Sequence, residues 1–165
     1  MAKNPSAEGI YVMCRGLTSD REQKYPAAEL RFRPAAYGLY ISHGEILLGR
    51  SRFTGKWDIP GGGVEPWETL EEGMTREFRE ETGVSVRIER LVDFRESFIA
   101  FAQHPFHSLR YYYLVSGNDG QTLAPDLDEL TSVGWVRLDE IHPEECARGD
   151  LALIERMMKT EGSRD

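Results

Sequence analysis

Three glutamates, Glu77, Glu80 and Glu81, stand at spacings i, i+3 and i+4. On a helix these positions are neighbours, with Cβ atoms about 5–6 Å apart. Three unpaired carboxylates that close repel one another and lift one another's pKa values. A hard divalent cation removes the conflict, because oxygen-rich sites suit Mg²⁺ or Mn²⁺ and several carboxylates can share an ion. The competing reading is a solvated charge run whose arginine neighbours form helix ion pairs. One pattern argues against it. Leu70, Met74 and Phe78 recur at helical spacing as an apolar stripe, and Glu77 and Glu81 fall on that stripe instead of opposite it. Between Gly61 and Val84 seven glutamates face only Arg76 and Arg79, so this stretch carries five of the chain's eight net negative charges.

The elements that must hold these groups are legible around them. Thr69, followed three residues later by Glu72, makes a capping box, and Gly83 stands where a helix C′ residue belongs, which predicts a helix over Leu70–Thr82. Upstream, Gly61, Gly62 and Gly63 allow a turn that brings backbone close to helix and ligand. The loop before them carries Arg50, Arg52 and Lys56, candidates for contact with a phosphate. Trp57, Phe53 and Trp67 are the aromatics nearest that turn, and each is a candidate to stack a base or simply to pack. Other spacings fail on counting. Gly49 and Gly55 lie one position too far apart for a P-loop, and Trp57 replaces its Ser or Thr. His104 and His107 have no further metal ligands nearby, and Tyr111-Tyr112-Tyr113 reads as packing on both faces of a sheet.

Read from Gly62, the segment Gly62-(five residues)-Glu68-(seven residues)-Arg76-Glu77-Phe78-Arg79-Glu80-Glu81-Thr82-Gly83-Val84 resembles the complete Nudix box, GX5EX7REUXEEXGU, at all of its specified positions. The flanks resemble the family too: Leu47-Leu48-Gly49-Arg50 and Gly55-Lys56-Trp57-Asp58-Ile59-Pro60-Gly61 before the box, and Trp135-Val136-Arg137-Leu138-Asp139-Glu140-Ile141 after it. The resemblance spans about residues 34–141. It implies a Nudix-type α/β/α sandwich around a mixed sheet, and metal-dependent hydrolysis of a nucleoside di- or triphosphate, or of a nucleoside diphosphate linked to another moiety. By similarity Glu77, Glu80 and Glu81 are metal ligands, with the Gly61 carbonyl as a further one. Glu77 and Glu80 are the catalytic candidates, one of them orienting or deprotonating the attacking water. Gly62, Glu68, Arg76 and Gly83 are structural, Arg76 and Glu68 pairing to fix the loop against the helix. Two positions depart from the usual pattern: Trp67 stands where glycine is frequent, and Gly73, where alanine is common, is read as opening room near the metals. The acidic residue that many members place just before the late tryptophan is missing, since Ser132, Val133 and Gly134 precede Trp135; Asp126, Asp128 and Glu129 stay open as substitutes. Two other readings remain. One is a non-catalytic Nudix module that senses a nucleotide or binds a partner. The other is an isoprenoid diphosphate isomerase, disfavoured because no cysteine lies near the expected pocket segments.

At 165 residues the chain suits one domain with a real core. Its strands outnumber its helices without regular β-α alternation, which favours a mixed α+β sandwich. Ala35–Ser42 and Glu45–Gly49 flank His43-Gly44 as a hairpin; Val84–Phe98, Phe106–Ser116 and Val133–Leu138 read as strands, and Leu151–Lys159 as a closing helix. Residues 1–33 form an N-terminal extension packed on the domain, with a strand at Ile10–Cys14 and a polar loop at Thr18–Lys24, and residues 34–165 the Nudix domain. Cys14 and Cys146 suggest neither a disulfide framework nor zinc. The opening residues lack an apolar signal region and no run is long enough to span a bilayer, so the expected location is cytoplasmic. A net charge of -8 disfavours extended nucleic acid. The expected partner is a small nucleotide substrate, with no membrane, and a homodimer is compatible with this reading.

Overall fold

A computed structural model of the chain describes residues 7–19, 21–147 and 149–161. The first helix, α1, runs Leu70–Thr82 as its end signals predict. The Thr69 side chain accepts from the Glu72 N–H while the Glu72 side chain accepts from the Thr69 N–H, and Gly83 closes the helix in the left-handed region at φ 77°.

The strands are β1 (Tyr11–Gly16), β2 (Glu22–Pro26), β3 (Arg31–Ser42), β4 (Glu45–Ser51), β5 (Trp57–Asp58), β6 (Gly61–Gly63), β7 (Val86–Phe101), β8 (His104–Gly117) and β9 (Leu130–Arg137), followed by helix α2 (Asp150–Glu161). They form one curled mixed sheet in the order β2-β1-β7-β8-β3-β4-β5, with β6 paired to β3 and β9 to β4. β3 is central. It runs parallel to β8 from Arg31 to Tyr40 and antiparallel to β6 and β4. Its hairpin to β4 turns at His43 and Gly44, both at positive φ (49° and 77°), the geometry whose twist matches paired strands.

Side-chain alternation along the strands splits the core into two layers. Ala36, Tyr40, Leu47, Tyr113 and Val115 pack with Met74 and Phe78 of α1 on one face. Leu39, Ile46, Leu48, Tyr112 and Leu114 pack with Leu153, Ile154 and Met157 of α2 on the other. The tyrosine run thus fills both faces, and the architecture is the expected α/β/α sandwich. Among the described residues no helix is long and apolar enough to cross a membrane.

Two readings of the strands are corrected. The β7–β8 ladder continues past Phe98 and starts before Phe106, closing at Phe101 opposite His104 through Ala102 and Gln103 at φ 48° and 65°. No glycine or asparagine marks that turn; the long paired ladder imposes it. In the N-terminal segment the expected strand is β1, but the polar stretch after it becomes strand at Glu22, where β2 pairs with β1. β2 buries only Tyr25 and therefore shows no apolar alternation. β1 attaches to the sheet edge in parallel, Arg15 and Gly16 pairing with Ile99 and Ala100 of β7.

Candidate active site

The glycine strand β6 lies between β3 and α1, and its residues are small because backbone and carboxylate crowd them. A Cβ on Gly61, whose φ is 138°, would come 2.3 Å from the Ala36 carbonyl oxygen. A Cβ on Gly62 would come 2.6 Å from Glu77 Oε2. This close approach sets the acidic edge of α1 directly against the strand. The Gly61 N–H donates to Glu81 Oε2 at 2.8 Å.

Arg76 ties the box together. Its Nε and Nη2 donate to the two Glu68 oxygens at 2.6 and 2.8 Å, a bidentate pair, and Nη2 also donates to the Gly63 carbonyl at 3.1 Å. Its Nη1 donates to Glu77 Oε1 at 2.8 Å and to Glu80 Oε2 at 3.1 Å. The helical period alone puts Arg76 on the far, solvated side of α1; its long side chain wraps back across the helix edge instead. The Arg76 hydrogen bonds, helped by the Glu65 N–H, hold the Glu68 carboxyl down at about 2, and the same contacts raise the guanidinium pKa.

The other carboxyls move the opposite way. Burial raises Glu77, with Arg76 opposing and Glu80 and Glu129 adding repulsion. Glu81 is pushed up to about 8, chiefly by burial, with Glu77, Glu129 and Asp58 repelling it and the Gly61 N–H opposing. Of the three acids before β9, Glu129 is the one whose charge reaches both Glu77 and Glu81. Asp126 instead builds the turn, its Oδ1 accepting from the Asp128 N–H and its carbonyl from the Leu130 N–H. The Glu129 carbonyl accepts from the Arg52 N–H, which ties this loop to the end of β4.

Sequence reasoning left Glu129 among equals, since Asp126, Asp128 and Glu129 share one loop. It also passed over Asp58, which faces Glu81 and Asp150 and is pushed up to about 7, mainly by burial. The only signal for Asp58 is its place between Trp57 and the glycine turn.

The upstream candidates scatter. Arg50 lies over the Trp57 ring and reaches Glu145 at 3.4 Å. The Arg52 Nε donates to the Leu127 carbonyl at 2.9 Å. The Lys56 N–H donates to Thr54 Oγ1 within the loop. Trp57 packs against the core layer on the α2 side, Phe53 meets Phe101 edge to face, and Trp67 is 79% exposed. Gly73 does not open room for metals: a Cβ there would come 2.9 Å from Val64 Cγ2 and 3.2 Å from Glu68 Oε2, so the residue admits the box loop against α1. A shallow depression of about 600 Å³ beside α1 shares Arg76 and Glu80 with the acidic edge.

Among the described residues no three His, Cys, Asp or Glu side chains are arranged to hold a metal ion, because Glu77 and Glu80 turn to Arg76 and Glu81 to Gly61. The donor set nevertheless fits a hard divalent cation. It is all oxygen, and burial together with mutual repulsion disfavours the ionised form of Glu77 and Glu81, a penalty that a bound cation relieves.

A family model described as NUDIX domain matches residues 31–157. The chain is 33% identical over 114 residues to the nucleoside triphosphatase NudI of Salmonella arizonae, covering 65% of this chain and 76% of that protein. It is 36% identical over 115 residues to the NAD-capped RNA hydrolase NudC of Chromobacterium violaceum, covering 67% and 40%. The chain spans between 26% and 57% of the length of the first curated relatives it matches. Among solved structures, a NUDIX hydrolase from Nitrosomonas europaea has the same fold, with a TM-score of 0.67 at 18% identity over 99% of this chain and 93% of that one.

Proposed function

The chain belongs to the NUDIX family, and from that premise we propose that it hydrolyses a phosphoanhydride bond of a nucleoside di- or triphosphate, or of a nucleoside diphosphate linked to another moiety. The observation that carries the reading is the set of carboxylates at the β6–α1 edge, where Glu77, Glu80 and Glu81 are joined electrostatically by Glu129 and answered by one guanidinium, that of Arg76. So much negative charge beside backbone N–H groups suits a substrate that arrives with cations.

In this reading Glu77, Glu80 and Glu81 hold Mg²⁺ or Mn²⁺, with the Gly61 carbonyl as a further ligand. Held there, such a cation would supply charge neutralisation of the diphosphate and polarisation of its oxygens. Glu129, carried on a separate loop, accepts the proton of the attacking water, a task for a carboxylate outside the Arg76 network. Arg76 is a positioning residue: it holds the box loop through Glu68 and Gly63 and orients Glu77 and Glu80. Of the upstream cations, Lys56 serves the substrate phosphates best, since the Arg50 guanidinium is paired with Glu145 and that of Arg52 is bound to the Leu127 carbonyl. The two buried free cysteines, Cys14 and Cys146, suit a reducing cytoplasm.

The test is phosphate release from a panel of nucleoside di- and triphosphates and nucleoside diphosphate derivatives, with Mg²⁺ and with excess chelator. Turnover of at least one class with Mg²⁺, lost in chelator, is expected. Tight nucleotide binding without turnover in Mg²⁺ assigns the chain to sensing instead.

A further inference from the structure

The sheet face that carries α2 extends beyond the helix. Past Tyr112 it continues along β8 through Arg110 and Ser108; the register sets Arg95 and Ser97 of β7 opposite these two and Arg33 of β3 beside Ser108. Residues paired across strands share a face, so these five side chains meet on one patch. Ser97 Oγ, Ser108 Oγ and Arg110 Nε are buried there without a hydrogen-bond partner, and Ser108 is wholly inaccessible. Native proteins pair buried polar groups, so three adjacent orphans point to an acceptor from outside the chain.

The cations say which kind. Arg95 is taken up by Asp93 at 2.9 Å, by Asp150 at 3.5 Å and by the Gly149 carbonyl, and Asp93 also meets Arg156. Arg110 acts on Asp150 electrostatically, without ion-pair contact, and Arg33 lies against the Tyr37 hydroxyl. Two guanidinium groups and two hydroxyls with no carboxylate in contact among the described residues make a donor set for an oxyanion, and the planar fork of arginine matches phosphate oxygens. The patch also adjoins the acidic edge. The two meet at β6 from opposite faces of the strand: a Cβ on Gly63 would lie 3.5 Å from Arg33 Nη2, and one on Gly62 would meet Glu77.

We propose that Arg33, Ser97, Ser108 and Arg110 form an anion subsite that takes a phosphate group of the substrate other than the scissile diphosphate. The anion rests on this geometry; that it belongs to a substrate rests on the hydrolase reading above.

The test uses the full chain in excess chelator, so that no cation holds phosphate at α1. Calorimetric titration with inorganic phosphate is expected to show saturable binding, weakened at least tenfold by Ser108→Ala and by Arg33→Gln. Ser108→Ala removes an unpartnered hydroxyl, so a purely structural role gives an equal or higher Tm with phosphate affinity unchanged, which overturns the proposal. If that variant does not fold, Arg33→Gln, at a half-buried position, carries the test alone. Absence of saturable binding by the parent chain, or loss of binding in Glu80→Gln with Ser108→Ala unaffected, also overturns it.

A second titration compares non-hydrolysable nucleoside diphosphate derivatives with and without a phosphate monoester on the ribose. At least tenfold tighter binding of the phosphorylated one, abolished by Ser108→Ala, supports a substrate-borne phosphate. Equal binding of the two overturns that assignment in favour of free phosphate. Phosphate binding that persists in a chain showing no turnover with Mg²⁺ sinks the hydrolase reading and leaves the subsite.

Discussion

Glu80 is half exposed and held by Arg76 across one helical turn, whereas Glu129 is joined to the site through space. In the proposed mechanism the two therefore separate ligand from base. An exposed ion pair is worth about 1 kcal/mol or less, so Glu80→Gln is expected to leave Tm within about 4 °C of the parent while turnover falls a hundredfold or more. Glu129→Gln is expected to lower kcat by about 10²–10⁴, with metal affinity less affected than in Glu80→Gln. Turnover, Mg²⁺ titration and thermal melting of both variants check the pair. A kcat within a few-fold of the parent in either variant removes that residue from its role.

At the scale of the helix and its loop, Arg76 links α1 to β6 and to Glu68. Glu68→Ala and Arg76→Ala are expected to be non-additive in both Tm and turnover, the double variant being little worse than Arg76→Ala. Arg76→Ala should cost more activity than Glu68→Ala, since it also releases Glu77 and Glu80. The clamp has a defined pH window. Because the folded-state pKa of Glu68 is lowered from 4.5 to about 2, its contribution is full above pH 4.5 and is lost as pH falls through about 2. The Tm gap between the parent and Glu68→Gln should be constant at neutral and mildly acid pH and close on approach to pH 2; a gap that stays open there argues against the pairing.

Across the whole molecule, the α2 layer contains two carboxyls that oppose each other. Burial, with repulsion from Asp150, pushes Asp58 up to about 7, and burial pushes Asp150 up to about 6 against the pull of Arg110 and Arg95. An acid whose folded pKa is raised binds its proton where the unfolded chain has released it, so these two groups make stability fall as pH rises from 3.8 to about 7. Asp58→Asn is expected to raise Tm at pH 8 relative to pH 5, read by calorimetry at both; an unchanged difference would clear Asp58 of the effect. The two core layers of the sandwich draw no residue from β1 or β2, whose buried Cys14 and Tyr25 lie outside both clusters. We propose that the N-terminal segment is an extension packed on a self-sufficient domain, so a chain beginning at Leu30 should still melt cooperatively; a non-cooperative melt would make β1 and β2 part of the domain.

What the sequence determined by itself is whatever is decided within one turn of chain. The bounds of α1 follow from Thr69, Glu72 and Gly83, whose hydrogen bonds reach four residues at most, and the His43–Gly44 hairpin and the two-faced tyrosine strand follow from periods of two. The glutamates mark a candidate site because carboxylates on an apolar stripe contradict the helix that carries them.

Tertiary structure decided the rest, since register and side-chain reach belong to pairs of distant segments. The Ala102–Gln103 turn is imposed by the ladder it closes, and β2 exists because β1 pairs with it. Glu129 is distinguished from Asp126 and Asp128 by a turn that Asp126 builds and a carbonyl that Arg52 holds. Arg76 crosses to the acidic edge because a side chain that long is not bound by the helical period. Arg33, Ser97, Ser108 and Arg110, spread over 78 positions of chain, meet only because β3, β7 and β8 are neighbours in one register.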